Sequence, residues 1–313
     1  MEILFLTEKK EIKIMYGKIF LTAAVIFSGT IFAESGFFFL RTEKSAKEIS
    51  TAQTSYLFSS SIENAGLNPG SVIGDDIFSA SVSYKTIFDN ADASRFSISY
   101  REDNIQYGLV FSALNISGIE GRDVPSEEPL YEFDSRVLTA EFNYAYQFKS
   151  NLKLGVSGKY LFEKIEFEDS YGFAGSAGLY RENNFIKDLN LGIAVNNIGS
   201  MNKLADEETI LPSDVLFGIG YIYRSKFDID FKIGNSVRYL MEDKDIENFT
   251  GAEISYQSRF FIRSGYRADN EGTPYSMGIG VVVDKFSFDY AFTPFSDEEG
   301  DSSHAMTLSY TFR

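Results

Sequence analysis

From Ile77 onward, apolar and polar side chains take turns one residue at a time, a pattern suited to a strand with two unlike faces. Phe78, Ala80, Val82 and Tyr84 interleave with Ser79, Ser81, Ser83 and Lys85, and Phe96, Ile98 and Tyr100 with Ser97, Ser99 and Arg101. Phe227, Ile229, Phe231 and Ile233 alternate with Asp228, Asp230, Lys232 and Gly234, and Phe286, Phe288, Tyr290 and Phe292 carry the pattern on. Successive side chains of a strand point to opposite faces, so each segment has an apolar and a polar face. No comparable stretch has helical period. The alternation predicts strands over 77–86, 94–101, 105–114, 136–148, 151–165, 171–180, 187–197, 214–223, 227–240, 249–257, 259–267, 275–283, 285–292 and 303–312. Most are near the ~9–11 residues that a tilted membrane strand requires.

The segments between them carry a second signal. Long connections (87–93, 115–135, 198–213, 241–248, 293–302) take turns with tight ones at Glu102-Asp103-Asn104, Lys149-Ser150, Arg224-Ser225-Lys226, Ser258 and Asp284. An outer-membrane barrel has this rhythm, with long loops outside and short turns in the periplasm. An even strand number then places both ends of the mature chain in the periplasm. Aromatics make up 16% of the chain, yet mean hydropathy is slightly negative, because apolar residues are interleaved rather than clustered. Phe142, Tyr144, Tyr146, Phe148, Tyr221 and Tyr223 suit aromatic girdles at the membrane interfaces, although β-propensity also favours aromatics. The reading is an all-β antiparallel transmembrane barrel of about fourteen strands.

The N-terminus reads as an export signal. Lys9, Lys10, Lys13 and Lys18 precede the apolar run Ile19 to Phe32, which ends at Ala33 before Glu34-Ser35. Met15 is an alternative start. The run is shorter than the roughly 20 residues of a spanning helix. The division is therefore a cleaved signal over 1–33, a plug or periplasmic segment over 34–76, and the barrel over 77–313.

Little in the chain points to chemistry. A net charge of −16 opposes nucleic-acid binding, and the lack of cysteine removes thiolate nucleophiles and Cys-ligated zinc. His304 is the only histidine and reads as a polar residue at the membrane rim beside Asp297-Glu298-Glu299. The carboxylates of 120–134 and 206–214 read as solvated loops; they offer Ca²⁺ or shared divalent ions of lipopolysaccharide a weaker alternative. No cofactor, metal site or enzymatic activity is expected. Lys153, Lys159, Glu163, Asp228, Asp230, Lys232 and Arg238 are the candidates for lining a path through the lumen.

Two stretches carry a family resemblance. Ala65-Gly66-Leu67-Asn68-Pro69-Gly70 resembles the N-terminal block of the PorV/PorQ family, with Asn68, Pro69 and Gly70 as its plug motif. Phe288 to Phe295 with Ser303 to Tyr310 is similar to that family's closing hairpin. The final strand, Met306, Leu308, Tyr310 and Phe312, resembles the signal read by barrel-insertion machinery, with Arg313 as a departure. Such families are similar to the long-chain fatty-acid transporter (FadL-like) barrels, which implies a fourteen-stranded barrel with an internal N-terminal hatch. The resemblance implies passive transport of hydrophobic small molecules across the outer membrane. The alternatives are an accessory of a type IX-like secretion system that binds exported proteins, and a surface structural protein or adhesin. The partners implied are outer-membrane lipid and lipopolysaccharide, the insertion machinery, and hydrophobic solutes or secreted proteins.

Overall fold

The computed structural model describes residues 37–88, 90–121, 131–182, 186–204, 209–268, 275–294 and 302–312. The segment 1–33 expected to be an export signal and the acidic stretches 122–130, 206–208 and 297–301 lie outside the described residues. The alternating region forms β1 (Phe78–Phe88), β2 (Ala91–Glu102), β3 (Ile105–Gly121), β4 (Tyr131–Gln147), β5 (Leu152–Ile165), β6 (Glu168–Arg181) and β7 (Leu189–Met201). It continues with β8 (Asp214–Arg224), β9 (Ile229–Leu240), β10 (Ile246–Tyr256), β11 (Phe260–Ala268), β12 (Tyr275–Val283), β13 (Phe286–Thr293) and β14 (Ser303–Phe312). Each strand pairs antiparallel with its sequence neighbours, and β1 pairs with β14 from Phe78↔Phe312 to Thr86↔His304, closing the barrel. Closure leaves no unpaired edge, the condition for β-structure in lipid. Among the described residues no helix is long and apolar enough to cross a membrane.

The fourteen strands are those the alternation predicts, but several are longer. β3 and β4 run 17 residues each and carry the hairpin well past the apolar band. The expected long connection at 87–93 shrinks to 89–90, and β5 and β6 are joined across 166–167. Backbone pairing needs no apolar face, so the ladder continues where the alternation fades. The long-and-short rhythm is therefore imperfect in length. The geometry beneath it holds: Ile77 donates to the Phe312 carbonyl at 2.8 Å, so both barrel ends lie beside the turns that follow the even-numbered strands. We call this the turn end and the opposite rim the loop end.

The outward face is apolar around the whole circumference. Leu109 is 44% exposed and Ile279 58%, and Val82, Phe142, Phe217 and Ile254 are comparably bare. A water-soluble monomer does not expose a continuous apolar belt of this extent; lipid solvates it. Tyr100, Tyr223, Tyr256, Phe260, Phe286 and Phe312 ring the turn end, and Tyr84, Tyr171, Tyr239, Tyr266 and Tyr275 the loop end. This is a transmembrane barrel fold. Placing arginine at Leu109, halfway along the outward row of β3, is expected to cost about 2–4 kcal/mol in a folding titration in lipid vesicles. An unchanged midpoint would place that face in water.

Candidate functional site

The lumen is the one place where this fold brings polar side chains together under cover, and residues 37–76 fill it. The described chain begins at the loop end, where Phe37, Phe39 and Leu40 pack against Ala93, Leu114, Val137, Leu161 and Leu211. It turns through a short helix, α1 (Ala46–Ser50), whose first turn is capped by Ser45 accepting from the Glu48 N–H at 3.2 Å. Ala46 and Ile49 of α1 rest on Ala291 of β13 and Ala305 of β14. The chain then follows the wall through 3₁₀ turns at Ser55–Leu57, Ile62–Gly66 and Pro69–Ser71, and leaves at the turn end into β1.

What seats this plug is a row of inward glycines. Gly265, Gly251, Gly234 and Gly220 are successive cross-strand partners on β11, β10, β9 and β8; Gly218 pairs with Gly192, and Gly178 with Gly155. A Cβ at Gly220 would lie 2.7 Å from the Leu57 Cβ, and one at Gly192 would lie 2.7 Å from the Tyr56 ring. At Gly155 it would overlap the Pro69 carbonyl and lie 2.6 Å from the Gly70 nitrogen. Glycine stands there because the plug, with its backbone at Gly155, Gly251 and Gly265 and with side chains at Gly178, Gly192, Gly218 and Gly234, occupies the space a side chain would need.

The Asn68-Pro69-Gly70 motif docks at the β5–β7 end of this row. The Asn68 side-chain oxygen (Oδ1) accepts from the Gly70 N–H at 2.8 Å, an N-cap with proline at the first helical position. The Asn68 amide donates to the Leu179 carbonyl of β6 at 3.1 Å and to the Ile193 carbonyl of β7 at 3.3 Å. One side chain thus closes the plug's own turn and fastens it to two strands. Asn190 and Asn196 on β7 add donors to the Leu57 and Leu67 carbonyls at 2.9 and 3.1 Å.

Charge holds the plug as well. Arg41 meets Asp243 at 3.2 Å, Glu48 meets Arg95 at 3.5 Å, and Glu43 lies against Arg267 and 3.9 Å from Lys85. Burial alone would raise the Glu43 carboxyl, but the Arg267 and Lys85 cations beside it hold it at about 2.

Of the path candidates, Lys153, Lys159, Lys232 and Arg238 face the lumen and are engaged. Lys153 donates to Glu182 at 2.7 Å and to Ser60 of the plug at 2.8 Å. Lys159 donates to Asn197 at 2.7 Å, and Lys232 meets Glu253 at 2.8 Å. Arg238 reaches Glu247 at 3.2 Å, Asp214 at 3.8 Å and the Gln53 side chain of the plug. Asp230 and Glu163 are half-buried on the inward face, near the turn end and the loop end respectively. Asp228 does not line the lumen: it sits exposed in the β8–β9 turn with φ 56°, because β9 begins at Ile229, two residues later than the alternation implies.

The sequence reading passed over the most buried ionic group. Arg263 on β11 donates to Glu253 of β10 and to Asp289 of β13, both at 2.6 Å. It also passed over Arg95, Glu141 and Asn143. The usable signal was a charge at an inward position of an apolar strand, as in Phe288-Asp289-Tyr290. His304 faces outward, its Nδ1 2.7 Å from the Tyr290 hydroxyl, away from every lumen carboxylate named above. Among the described residues no three His, Asp or Glu side chains converge as metal ligands. A cavity of about 250 Å³ opens at the turn end, lined by Phe58, Ser60, Asp75, Lys153, Glu182 and Arg224.

No family model and no curated protein matches the sequence. Solved structures do match in fold. A deletion mutant of the monoaromatic hydrocarbon channel TodX is 12% identical with a TM-score of 0.64, over 86% of this chain and 98% of that one. The toluene transporter TodX of Pseudomonas putida gives 12% and 0.60, over 90% and 99%. A Pseudomonas aeruginosa FadL homologue gives 9% and 0.50, over 91% and 99%. At these identities the likeness is one of fold: a closed barrel of this layout.

Proposed function

We propose that this protein is an outer-membrane channel that lets small hydrophobic molecules cross passively. The observation that carries the reading is a lipid-solvated barrel whose lumen is occupied by its own N-terminal segment, in the fold shared with TodX. A barrel built only to anchor has no need of a segment that threads the lumen from loop end to turn end. Phe38, exposed beside the apolar cluster of Phe37, Phe39 and Leu40, offers such a solute its first contact at the loop end. In this reading the export signal is removed, the turn end faces the periplasm, the loop end faces outward, and lipopolysaccharide surrounds the upper girdle.

The test is uptake of labelled toluene and of a labelled long-chain fatty acid into vesicles with a lipopolysaccharide outer leaflet, which slows unassisted entry. Uptake above empty vesicles is expected for at least one probe. Equal rates for both probes with and without the barrel would end the proposal.

A second reading draws on the tightness of the plug. A lumen filled this closely also suits a barrel that serves as a docking partner for exported proteins, as the PorV/PorQ resemblance implies. Capture of secreted proteins by the intact barrel, with no solute uptake, would favour it.

A further inference from the structure

The plug is not held alike on all sides. From β5 round to β12 it lies close against glycines, whereas facing β2 to β5 it meets polar side chains across a narrow chamber. That wall is contiguous: Arg95 pairs with Ser112, Ser112 with Thr139, Glu141 with Lys159, and Asn143 with Ser157. Lys44, Glu48, Gly66 and Leu67 of the plug form the opposite side. The space between has a volume of about 20 Å³, enough for one body the size of a water molecule.

Two features of this chamber call for a ligand. Arg95, Glu141, Asn143, Ser157 and Lys159 are each more than nine-tenths buried. Yet Arg95 Nε and Glu141 Oε1 in the chamber's lining have no hydrogen-bond partner in the protein, nor do Asn143 Nδ2 and Oδ1 and Ser157 Oγ one inward position beyond it toward the turn end. Buried polar atoms are rarely left so, because each costs about 1–3 kcal/mol. The second feature is charge. Arg41 and Arg238, at the chamber's margin, have their own carboxylates in Asp243 and Glu247. That leaves three cations, Lys44, Arg95 and Lys159, facing two carboxylates, Glu48 and Glu141. Lys44 Nζ is held by the Thr42 and Leu40 carbonyls at 2.9 and 3.5 Å, and Lys159 by neutral Asn197 and Ser176 at 2.7 and 3.4 Å. Burial pulls the Lys44 ammonium down to about 7; Glu48 draws it back up while Arg95 and Lys159 push it lower. An uncompensated buried cation is costly, and one negative charge removes the excess.

We propose that this chamber binds one small monovalent anion, of halide or formate size, which bridges Lys44 of the plug to Arg95 and Lys159 of the wall. Apolar clusters flank the chamber: Phe39, Leu40 and Leu161 toward the loops, and Ile62, Ile73 and Val110 toward the turns. The anion is thus a clasp on the side of the plug that the glycine row does not reach. This goes beyond the transport reading and does not depend on it.

The test uses the full mature barrel in detergent at pH 6, where Lys44 keeps its proton. The midpoint of thermal unfolding is compared in sodium bromide, formate and gluconate at equal ionic strength, gluconate being too large to enter. Bromide and formate are expected to raise the midpoint by several degrees over gluconate, and bromide-grown crystals to show anomalous density between Lys44 and Lys159. Lys159→Met is expected to abolish the difference between salts. Glu141→Gln is expected to tighten bromide binding about tenfold by removing a repelling charge. Equal wild-type midpoints in the three salts, or bromide found only elsewhere, would overturn the proposal. Should Lys159→Met fail to fold, Glu141→Gln decides alone, and unchanged or weakened bromide dependence overturns it.

Discussion

Replacing Gly155 with valine is expected to unseat the plug and to destabilise the barrel by about 3 kcal/mol or more. Overpacking a filled interior usually costs 1–3 kcal/mol, and the upper end applies where the obstructing atoms cannot rotate away. Here they belong to backbone: the Pro69 carbonyl and the Gly70 nitrogen, the latter 2.6 Å from the position of the new Cβ. The Pro69–Ser71 turn cannot simply back off, because Asn68 is bonded to the Leu179 and Ile193 carbonyls on the neighbouring strands. Gly158 on the same strand is the control, since a Cβ there meets nothing within 4 Å. Urea titration of refolded protein, followed by the heat-modifiable gel shift, reads the stability. Trypsin reads the plug, because Arg41, Lys44 and Lys47 become cleavable once it leaves the lumen. If Gly155→Val and Gly158→Val behave alike in both assays, the glycine row does not seat the plug.

The second large effect is expected at Arg263. Its guanidinium is 2% exposed and holds two carboxylates, Glu253 and Asp289, at 2.6 Å each, while Lys232 meets the other oxygen of Glu253 at 2.8 Å. Arg263→Met leaves two buried carboxylates with one ammonium between them. Breaking a buried ionic group by removing one partner costs about 3–5 kcal/mol, most of it the stranded charge rather than the lost attraction. The cost should therefore shrink when a carboxylate is neutralised too. In the double variant with Asp289→Asn, at least half of the lost stability is expected to return in the same titration. Additive losses would mean that the two side chains do not act on each other.

Much of the barrel was legible before any coordinates. The fourteen strands and the outward row of Val82, Leu109, Phe142 and Ile254 follow from period two, because pleating sends alternate side chains to opposite faces. Strand ends did not follow. β3 and β4 run past their apolar segments on backbone hydrogen bonds alone, and the expected loop at 87–93 is mostly ladder. The lumen was only half legible. Inward lysines and arginines could be picked out by parity, as with Lys153 and Arg238, whereas Asp228 fell into a turn because the strand starts two residues later than its apolar run, at Ile229.

Alternation along the chain was enough to decide the class of fold, since a greasy face and a wet face on every strand can be reconciled by a cylinder in lipid. The family resemblance marked Asn68, Pro69 and Gly70 as a plug motif. Neither pattern says what lies across the lumen. Gly155 and Gly178 become a seat, and Arg263, Glu253 and Asp289 a single ionic group, only because closure carries strands distant in sequence to within bonding reach. Those contacts depend on register around a ring and on a plug that threads it, and pairwise geometry of that kind has no trace in local periodicity.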